Sequence, residues 1–123
     1  MKVKIDTREK FHVITIHEPD FAANMTEKMN KDLIALLDGK VKNVIVNMKD
    51  INSIDNAAAS HLVKLQHLFY EQQASFVVCE IQPPVKLMLN NYDLLDQLNY
   101  TPTLTEAYDI VQMEEIEREL GAE

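Results

Sequence analysis

One stretch decides the fold, VIVNMKDINSIDNAAASHLVKLQHLFY, which covers residues 44–70. It begins with the β-branched run Val44, Ile45 and Val46, which is short enough for a central strand of a sheet. A polar turn follows, and residues 51–54 resume the apolar pattern at wider spacing. Asp55 comes next, and a helical pattern starts directly after it. The stretch therefore predicts a buried strand, a turn and an amphipathic helix, in that order.

The predicted helix has one apolar face and one polar face, at about 100° per residue. Its apolar stripe consists of Ala58, Leu62, Leu65 and Phe69. Its opposite face carries Ser60, Lys64, His67 and Glu71. Residues 55–58 therefore lie at the N-terminus of a helix that a strand leads into. Such a corner presents free backbone N–H groups and the positive end of the helix dipole.

Composition limits the classes of partner. The chain has 123 residues, of which 46% are hydrophobic, and its formal net charge is -8. This length suits a single domain with a packed core. We expect no binding to nucleic acid or to an anionic membrane surface, because both depend on an excess of Lys and Arg. The acidic balance does allow a basic protein partner.

Cysteine content and hydropathy indicate a compartment. Cys79 is the single cysteine, so an intrachain disulfide is excluded, which fits a reducing environment. The first ten residues, MKVKIDTREK, contain no apolar signal region, and no stretch reaches the length of a membrane span. We therefore expect a cytoplasmic protein that is not inserted into a membrane.

The remaining segments alternate between strand and helix patterns. A predicted hairpin opens the chain, and a helix over residues 21–37 follows, with Asp20 as its N-cap. A buried strand, a short helix opened by two prolines, a short strand and a helix with a capping box come after the central helix. This order predicts an α/β fold, with a mixed β-sheet of about four to five strands opened by a hairpin and about four helices. The predicted strands outside the central stretch are residues 2–5, 11–16, 75–81 and 98–100.

The end of the chain differs in composition from the rest. We predict one domain over residues 1–112 and an acidic C-terminal helical extension over residues 113–123. The extension reads MEEIERELGAE, in which Ile116 and Leu120 are still apolar. Two interpretations remain open: the solvated end of the last helix, or a tail that binds a partner or a second copy of the chain.

The sequence offers little chemistry for catalysis. Gly39 and Gly121 are the only glycines, so a glycine-rich phosphate loop is absent. His61 and His67 are six residues apart and do not share the i, i+4 face of a helical metal pair. A phospho-receiver domain needs an acceptor Asp after its central strand, where Asn47 stands. We expect no cofactor and no metal; an uncharacterised small enzyme, which would need a polar pocket, remains a third interpretation.

Short motifs along nearly the whole chain match the pattern of one known family. Ile-Asp-Asn-Ala-Ala at residues 54–58 follows the central strand, Glu-Pro-Asp-Phe-Ala at residues 18–22 leads into the first helix, and Leu-Thr-Glu-Ala at residues 104–107 opens the last one. Together they resemble the STAS domain, the module of bacterial anti-sigma-factor antagonists and of sulfate-transporter tails. The resemblance implies a partner-binding surface at residues 55–58.

One departure from the family pattern concerns regulation. In family members regulated by phosphorylation, a serine-kinase anti-sigma factor modifies a Ser or Thr, and the resemblance places Ala57 at that position. Asn56 stands at the neighbouring hydroxyl position, so the usual switch residue is absent. Ser53 and Ser60 lie nearby, and modification of either one is left open. The corner also has a simpler interpretation, in which Asp55 or Asn56 caps the helix.

The resemblance implies a non-enzymatic regulatory protein that docks onto a protein partner, either an anti-sigma factor or a serine-kinase-like protein. The alternative is a cytoplasmic STAS subunit that stabilises a membrane transporter ATPase of the lipid-transport type. The sequence leaves the oligomeric state open, and a homodimer is one option. The residues expected to form the docking face are Asp20, Asp55, Asn56, Ala57, Ser60, His61 and Lys64.

Overall fold

The computed structural model describes residues 2–121, which form a mixed five-stranded sheet, a two-stranded sheet and four α-helices. This arrangement confirms the predicted α/β class. The strands are β1 (Val3–Thr7), β2 (Phe11–Ile16), β3 (Asp20–Phe21), β4 (Asn43–Asn47), β5 (Ser53–Ile54), β6 (Phe76–Cys79) and β7 (Tyr100–Thr101). The helices are α1 (Thr26–Leu36), α2 (Asn56–Glu71), α3 (Pro83–Asn91) and α4 (Leu104–Gly121).

The large sheet has the strand order β1-β2-β4-β6-β7. The hairpin strands β1 and β2 pair antiparallel, and every other neighbour in this sheet pairs parallel. The central strands β4 and β6 pair with Val44 opposite Phe76 and Val46 opposite Val78, and α2 forms the crossover between them. A parallel connection of this kind needs a helix-sized segment to return the chain to the same end of the sheet.

The two faces of the large sheet are covered unequally. Helices α1, α2 and α3 pack on one face, where Val44 and Val46 of β4 point into the main core. Helix α4 packs on the other face, where Ala107 and Val111 contact the side of the sheet that carries Ile45 and Val77. All five residues of β4 are buried, because both faces of that strand are covered.

The phase of α2 agrees with the periodicity of its sequence. Leu62 and Phe69 are fully buried, and Leu65 is 1% exposed. Lys64, one position before Leu65, is exposed on the outer side of the helix. The ring of Phe69 meets that of Phe76 on β6 at a centroid distance of 5.4 Å, in an edge-to-face arrangement that favours both rings.

The first helix begins later than the sequence predicted, and Asp20 is not its N-cap. Asp20 lies in β3, where it pairs with Ser53 of β5 and accepts a hydrogen bond from the Ser53 hydroxyl. This pairing keeps the backbone extended through Phe21. A 3-10 turn over Ala23–Met25 then leads into α1. The local preference of Asp20 for an N-cap position was overridden by its strand partner Ser53, which is more than thirty residues away in sequence.

Helix α4 runs unbroken from Leu104 to Gly121. Thr103 caps it as its capping box predicted, since the Glu106 backbone N–H donates to the Thr103 hydroxyl at 3.2 Å. The proposed division at residue 112 lies inside this helix and stays a prediction. The last two residues of the predicted extension lie outside the described part of the chain.

Candidate functional site

The candidate site is the corner at which β5 leads into α2. It combines the residues at the start of α2 with those that follow on the same exposed side of the helix. We call this surface the α2 corner and define it by Asp55, Asn56, Ala57, Ser60, His61 and Lys64.

Asp55 is the N-cap of α2, with an extended backbone at φ -88° and ψ 168°. Its Oδ1 accepts a hydrogen bond from the Ala58 backbone N–H at 2.8 Å. Its Oδ2 accepts a second one from the Ala23 backbone N–H at 2.9 Å. One carboxylate therefore satisfies a free donor at the start of each of two helical segments, and a negative charge is favourable at both positions.

The backbone around Asp55 is held from several sides. The Pro19 carbonyl accepts from the backbone N–H groups of Asn52 and Ser53, at 2.6 and 3.1 Å. The Asp55 N–H donates to the Phe21 carbonyl at 3.2 Å. From the residue that directly follows α3, the Tyr92 hydroxyl donates to the Ile54 carbonyl at 3.0 Å. The corner is therefore a rigid platform rather than a free loop.

The exposed part of the α2 corner is a narrow strip on one side of the helix. Ala57, Ser60 and Lys64 are spaced i, i+3 and i+7, which places them on one side of an α-helix. Asn56 and Ala57 are exposed, and the Ser60 hydroxyl donates to the Asn56 side-chain oxygen at 3.2 Å. The strip therefore presents a small apolar residue surrounded by amide, hydroxyl and ammonium groups.

His61 is the partly buried member of the corner. Desolvation by burial lowers the pKa of its imidazole, and the nearby Lys64 charge lowers that pKa further. Within residues 2–121, its Nε2 atom is buried without a hydrogen-bond partner. The imidazole is therefore neutral at neutral pH, and Lys64 carries the positive charge of the strip.

The structure places the seven predicted docking residues in three groups. Ala57, Ser60, His61 and Lys64 follow one side of α2, and Asn56 joins them through the Ser60 hydroxyl. Asp55 lies behind them, with both carboxylate oxygens engaged. Asp20 reaches the same corner from β3 through its bond to Ser53.

Three contributors to the corner were not predicted as part of the docking face, although Ser53 was noted as a nearby hydroxyl. Ser53 orients Asp20, Ala23 supplies the second donor to Asp55, and Tyr92 anchors the chain before Asp55. A sequence signal existed for Ser53, which directly precedes the Ile-Asp motif. Ala23 and Tyr92 had no local signal, because each lies more than thirty residues from its partner.

A metal site, a membrane-spanning helix or a reactive thiol would each indicate other chemistry within residues 2–121. No group of three or more His, Cys, Asp or Glu side chains in that range is placed to hold a metal ion. Within the same range, no helix is both long enough and apolar enough to cross a membrane. Burial raises the pKa of the Cys79 thiol to about 12, and the neighbouring Glu80 charge contributes to that rise, so this thiol is unreactive.

Comparisons with known proteins agree with this architecture. Residues 2–107 match the family model of the STAS domain. None of the curated proteins matches this sequence.

Several solved structures share the fold. A serine-to-glutamate variant of RsbS from Moorella thermoacetica superimposes with a TM-score of 0.75 at 19% identity, over 91% of this chain and 96% of that one. The anti-sigma factor antagonist SpoIIAA in its unphosphorylated form gives a TM-score of 0.71 at 16% identity, over 90% and 96%. The murine anion transporter Slc26a9 gives 0.69 at 16% identity, over 84% of this chain and 18% of the transporter.

Proposed function

Since the chain belongs to the STAS domain family, we propose that it is a non-enzymatic regulatory module that binds a protein partner through the α2 corner. The observation that carries this proposal is the engagement of Asp55, whose two carboxylate oxygens hold the starts of two helical segments. The Asp55 carboxylate therefore has a structural role in shaping the surface. The exposed side chains around Ala57 are free to contact a partner.

A rigid, shallow surface of this kind suits protein binding. A preformed platform loses little conformational entropy on association, which favours affinity. Its exposed side chains are short, apart from Lys64, so a partner can approach the helix closely. The family pattern at residues 54–58, together with the likeness to the anti-sigma factor antagonist SpoIIAA, favours an anti-sigma factor or a serine-kinase-like protein as the partner.

Docking at this corner is not controlled by phosphorylation at the usual family position. Ala57 is exposed there and has no hydroxyl group to receive a phosphate. The nearby hydroxyls both donate hydrogen bonds, that of Ser53 to Asp20 and that of Ser60 to Asn56. Activity is then set by abundance, by competition among partners or by modification at a different site.

A second candidate function is that of a cytoplasmic subunit that stabilises a membrane transporter ATPase of the lipid-transport type. The likeness to an anion transporter favours it. The matched region makes up 18% of that protein, so a domain of this fold occurs there as part of a membrane transporter. The two functions differ in the partner that the same corner contacts. Gene neighbourhood and the identity of co-purified proteins separate them.

The test is affinity purification from the source cells with identification of the bound proteins, followed by binding measurements on the purified pair. Ala57→Asp should weaken the complex about 30- to 5,000-fold, because a desolvated, unpaired charge costs about 2–5 kcal/mol. The matched control is Thr105→Asp, which places the same charge at the second residue of α4. Equal affinity of wild type and Ala57→Asp would place the docking surface elsewhere.

A further inference from the structure

The second half of α4 carries an exposed apolar stripe. Met113, Ile116 and Leu120 are 53%, 50% and 67% exposed. Their spacing of i, i+3 and i+7 puts them on one side of the helix, opposite the buried Val111. Single exposed apolar residues are ordinary, whereas three that line up on one helix face indicate a contact surface. We call these three residues the α4 stripe.

A groove beside the stripe enlarges this apolar surface. The groove has a volume of about 500 Å³ and lies between α4 and the start of β2. Phe11 and Tyr108 line it with ring centroids 4.8 Å apart, and Ile116 belongs to both the groove and the stripe. Aromatic and methionine side chains are enriched at protein interfaces, since they supply large contact areas.

The only cation of α4 is turned away from this surface. Arg118 donates hydrogen bonds to the Asn43 side-chain oxygen at 3.1 Å and to the Ser75 hydroxyl at 2.9 Å. Glu114 also faces inward and accepts from the hydroxyls of Tyr70 and Ser75, at 2.8 and 2.6 Å. Glu114 and Arg118 thus attach the end of α4 to the rest of the domain. These contacts fix the rotation of the helix, so that the α4 stripe faces solvent.

The remaining charges around the stripe are mostly negative. Asp109, Glu117 and Glu119 are exposed and flank it on the outer side of α4. Among the described residues that line the groove, Lys10 is the one cation. An apolar surface with an acidic rim complements an apolar surface with a basic rim.

A second copy of the chain is a poor occupant for the stripe. Antiparallel pairing of two stripes about a two-fold axis would set Met113 against Leu120 of the other copy. It would also bring Glu117 of both copies close to the axis, where like charges repel. The net charge of -8 on each copy opposes the contact further.

We propose that the α4 stripe and its groove bind an amphipathic helix of a protein partner whose apolar face is flanked by Lys and Arg. Such a helix would lay its apolar side chains along Met113, Ile116 and Leu120. Its cations would meet Asp109, Glu117 and Glu119. This site lies on the opposite face of the sheet from α2, so it is separate from the α2 corner. One chain can then hold two proteins at once.

The test uses a fluorescently labelled synthetic helix with a leucine stripe flanked by lysines, and a scrambled peptide of the same composition. Fluorescence anisotropy measures the affinity of the full chain for each peptide. We expect the amphipathic peptide to bind about tenfold or more tightly than the scrambled one, because the scrambled peptide keeps the charge and loses the apolar face.

Two matched variants locate the binding surface. Ile116→Glu should weaken binding of the amphipathic peptide about tenfold or more. Leu87→Glu makes the same change at a residue of α3 that is 62% exposed on the other side of the sheet, and it should change affinity less than about twofold. Circular dichroism confirms that both variants are folded.

Three outcomes would overturn the proposal. The first is no binding of the amphipathic peptide, and the second is equal binding of the scrambled peptide, which would reduce the effect to charge alone. The third is a concentration-dependent dimer in sedimentation experiments that Ile116→Glu abolishes, which would make a second copy the occupant.

Discussion

The Oδ2 atom of Asp55 accepts a hydrogen bond from the backbone N–H of Ala23, at 2.9 Å and across 32 positions of sequence. The same side chain caps α2 through Ala58. The start of α2 and the 3-10 turn before α1 are therefore tied to one carboxylate. This link fixes the position of the α2 corner relative to the rest of the domain.

Asp55→Ala should lower the free energy of unfolding by about 2–3 kcal/mol, because it removes an N-cap and a second hydrogen bond to a charged group. Urea denaturation measures this change. Asp38→Ala removes an exposed acid just after α1 and should stay within about 0.5 kcal/mol of wild type. Similar losses in the two variants would show that the Asp55 bridge does not stabilise the fold.

Leu65→Ala should lower the free energy of unfolding by about 2–5 kcal/mol, because Leu65 is buried between α2 and the sheet and its truncation leaves a cavity. Lys64→Ala, at the neighbouring exposed position, should change it by less than about 0.5 kcal/mol. Thermal and urea denaturation of both variants checks the phase of α2, and a large loss in Lys64→Ala would contradict it.

Ala57→Asp should leave the fold intact, whatever its effect on binding. The substitution puts a negative charge in the first turn of α2, where the helix dipole favours it by about 0.3–1 kcal/mol. The melting temperature should therefore be equal to that of wild type or slightly higher. A sharp fall in melting temperature would mean that Ala57 contributes to the core rather than to a surface.

The stability of the protein should fall below about pH 6.5 through His61. Burial lowers the pKa of this imidazole in the folded state below its ordinary value of 6.5. The unfolded chain then binds the proton more readily, so stability is lost as the pH falls through the unfolded value. His61→Gln should flatten the dependence of melting temperature on pH between about pH 5.5 and pH 7.5.

The exposed His67 of the same helix supplies the control for this pH dependence. His67→Gln should leave the slope of melting temperature against pH as it is in wild type. An unchanged slope in His61→Gln would contradict the prediction.

Arg118→Ala should lower the free energy of unfolding by about 1–3 kcal/mol, because it leaves Asn43 and Ser75 without a charged donor in a part-buried site. The exposed pair of Arg8 and Asp6, at 2.9 Å, provides a comparison. Arg8→Ala should cost less than about 0.5 kcal/mol, because water screens that pair. Hydrogen exchange should also show faster opening of the end of α4 in Arg118→Ala, and unchanged protection would mean that Arg118 does not hold the helix in place.

Local patterns were sufficient for most elements of the fold. The order of the α-helices and of the strands of the large sheet, the phase of α2 and the capping box at Thr103 follow from spacings of a few residues. The two-stranded sheet of β3 and β5 was not predicted. The prediction of Asp20 as an N-cap was wrong because its outcome depended on Ser53, which pairs with it from β5. A preference read from neighbouring residues cannot include a partner that folding brings in from elsewhere.

The candidate site shows the same division between near and distant interactions. The residues of α2 that share the exposed strip could be placed from helical spacing alone. The cap could be narrowed from the sequence to Asp55 or Asn56, and the structure has Asp55 in that role. The contact between Asp55 and Ala23 could not be predicted, and neither could the anchoring of Ile54 by Tyr92.

The sequence by itself determined the α/β order of elements, the face of α2 that is buried and the absence of a hydroxyl at Ala57. These properties depend on the chemistry and periodicity of residues close together in the chain. Only the tertiary structure decided that Arg118 turns inward to Ser75 and that the outer side of α4 is left apolar and acidic. That outcome depends on which polar groups of the folded sheet lie buried beneath α4. Arg118 hydrogen-bonds to them because a buried polar group without a partner lowers the stability of the fold.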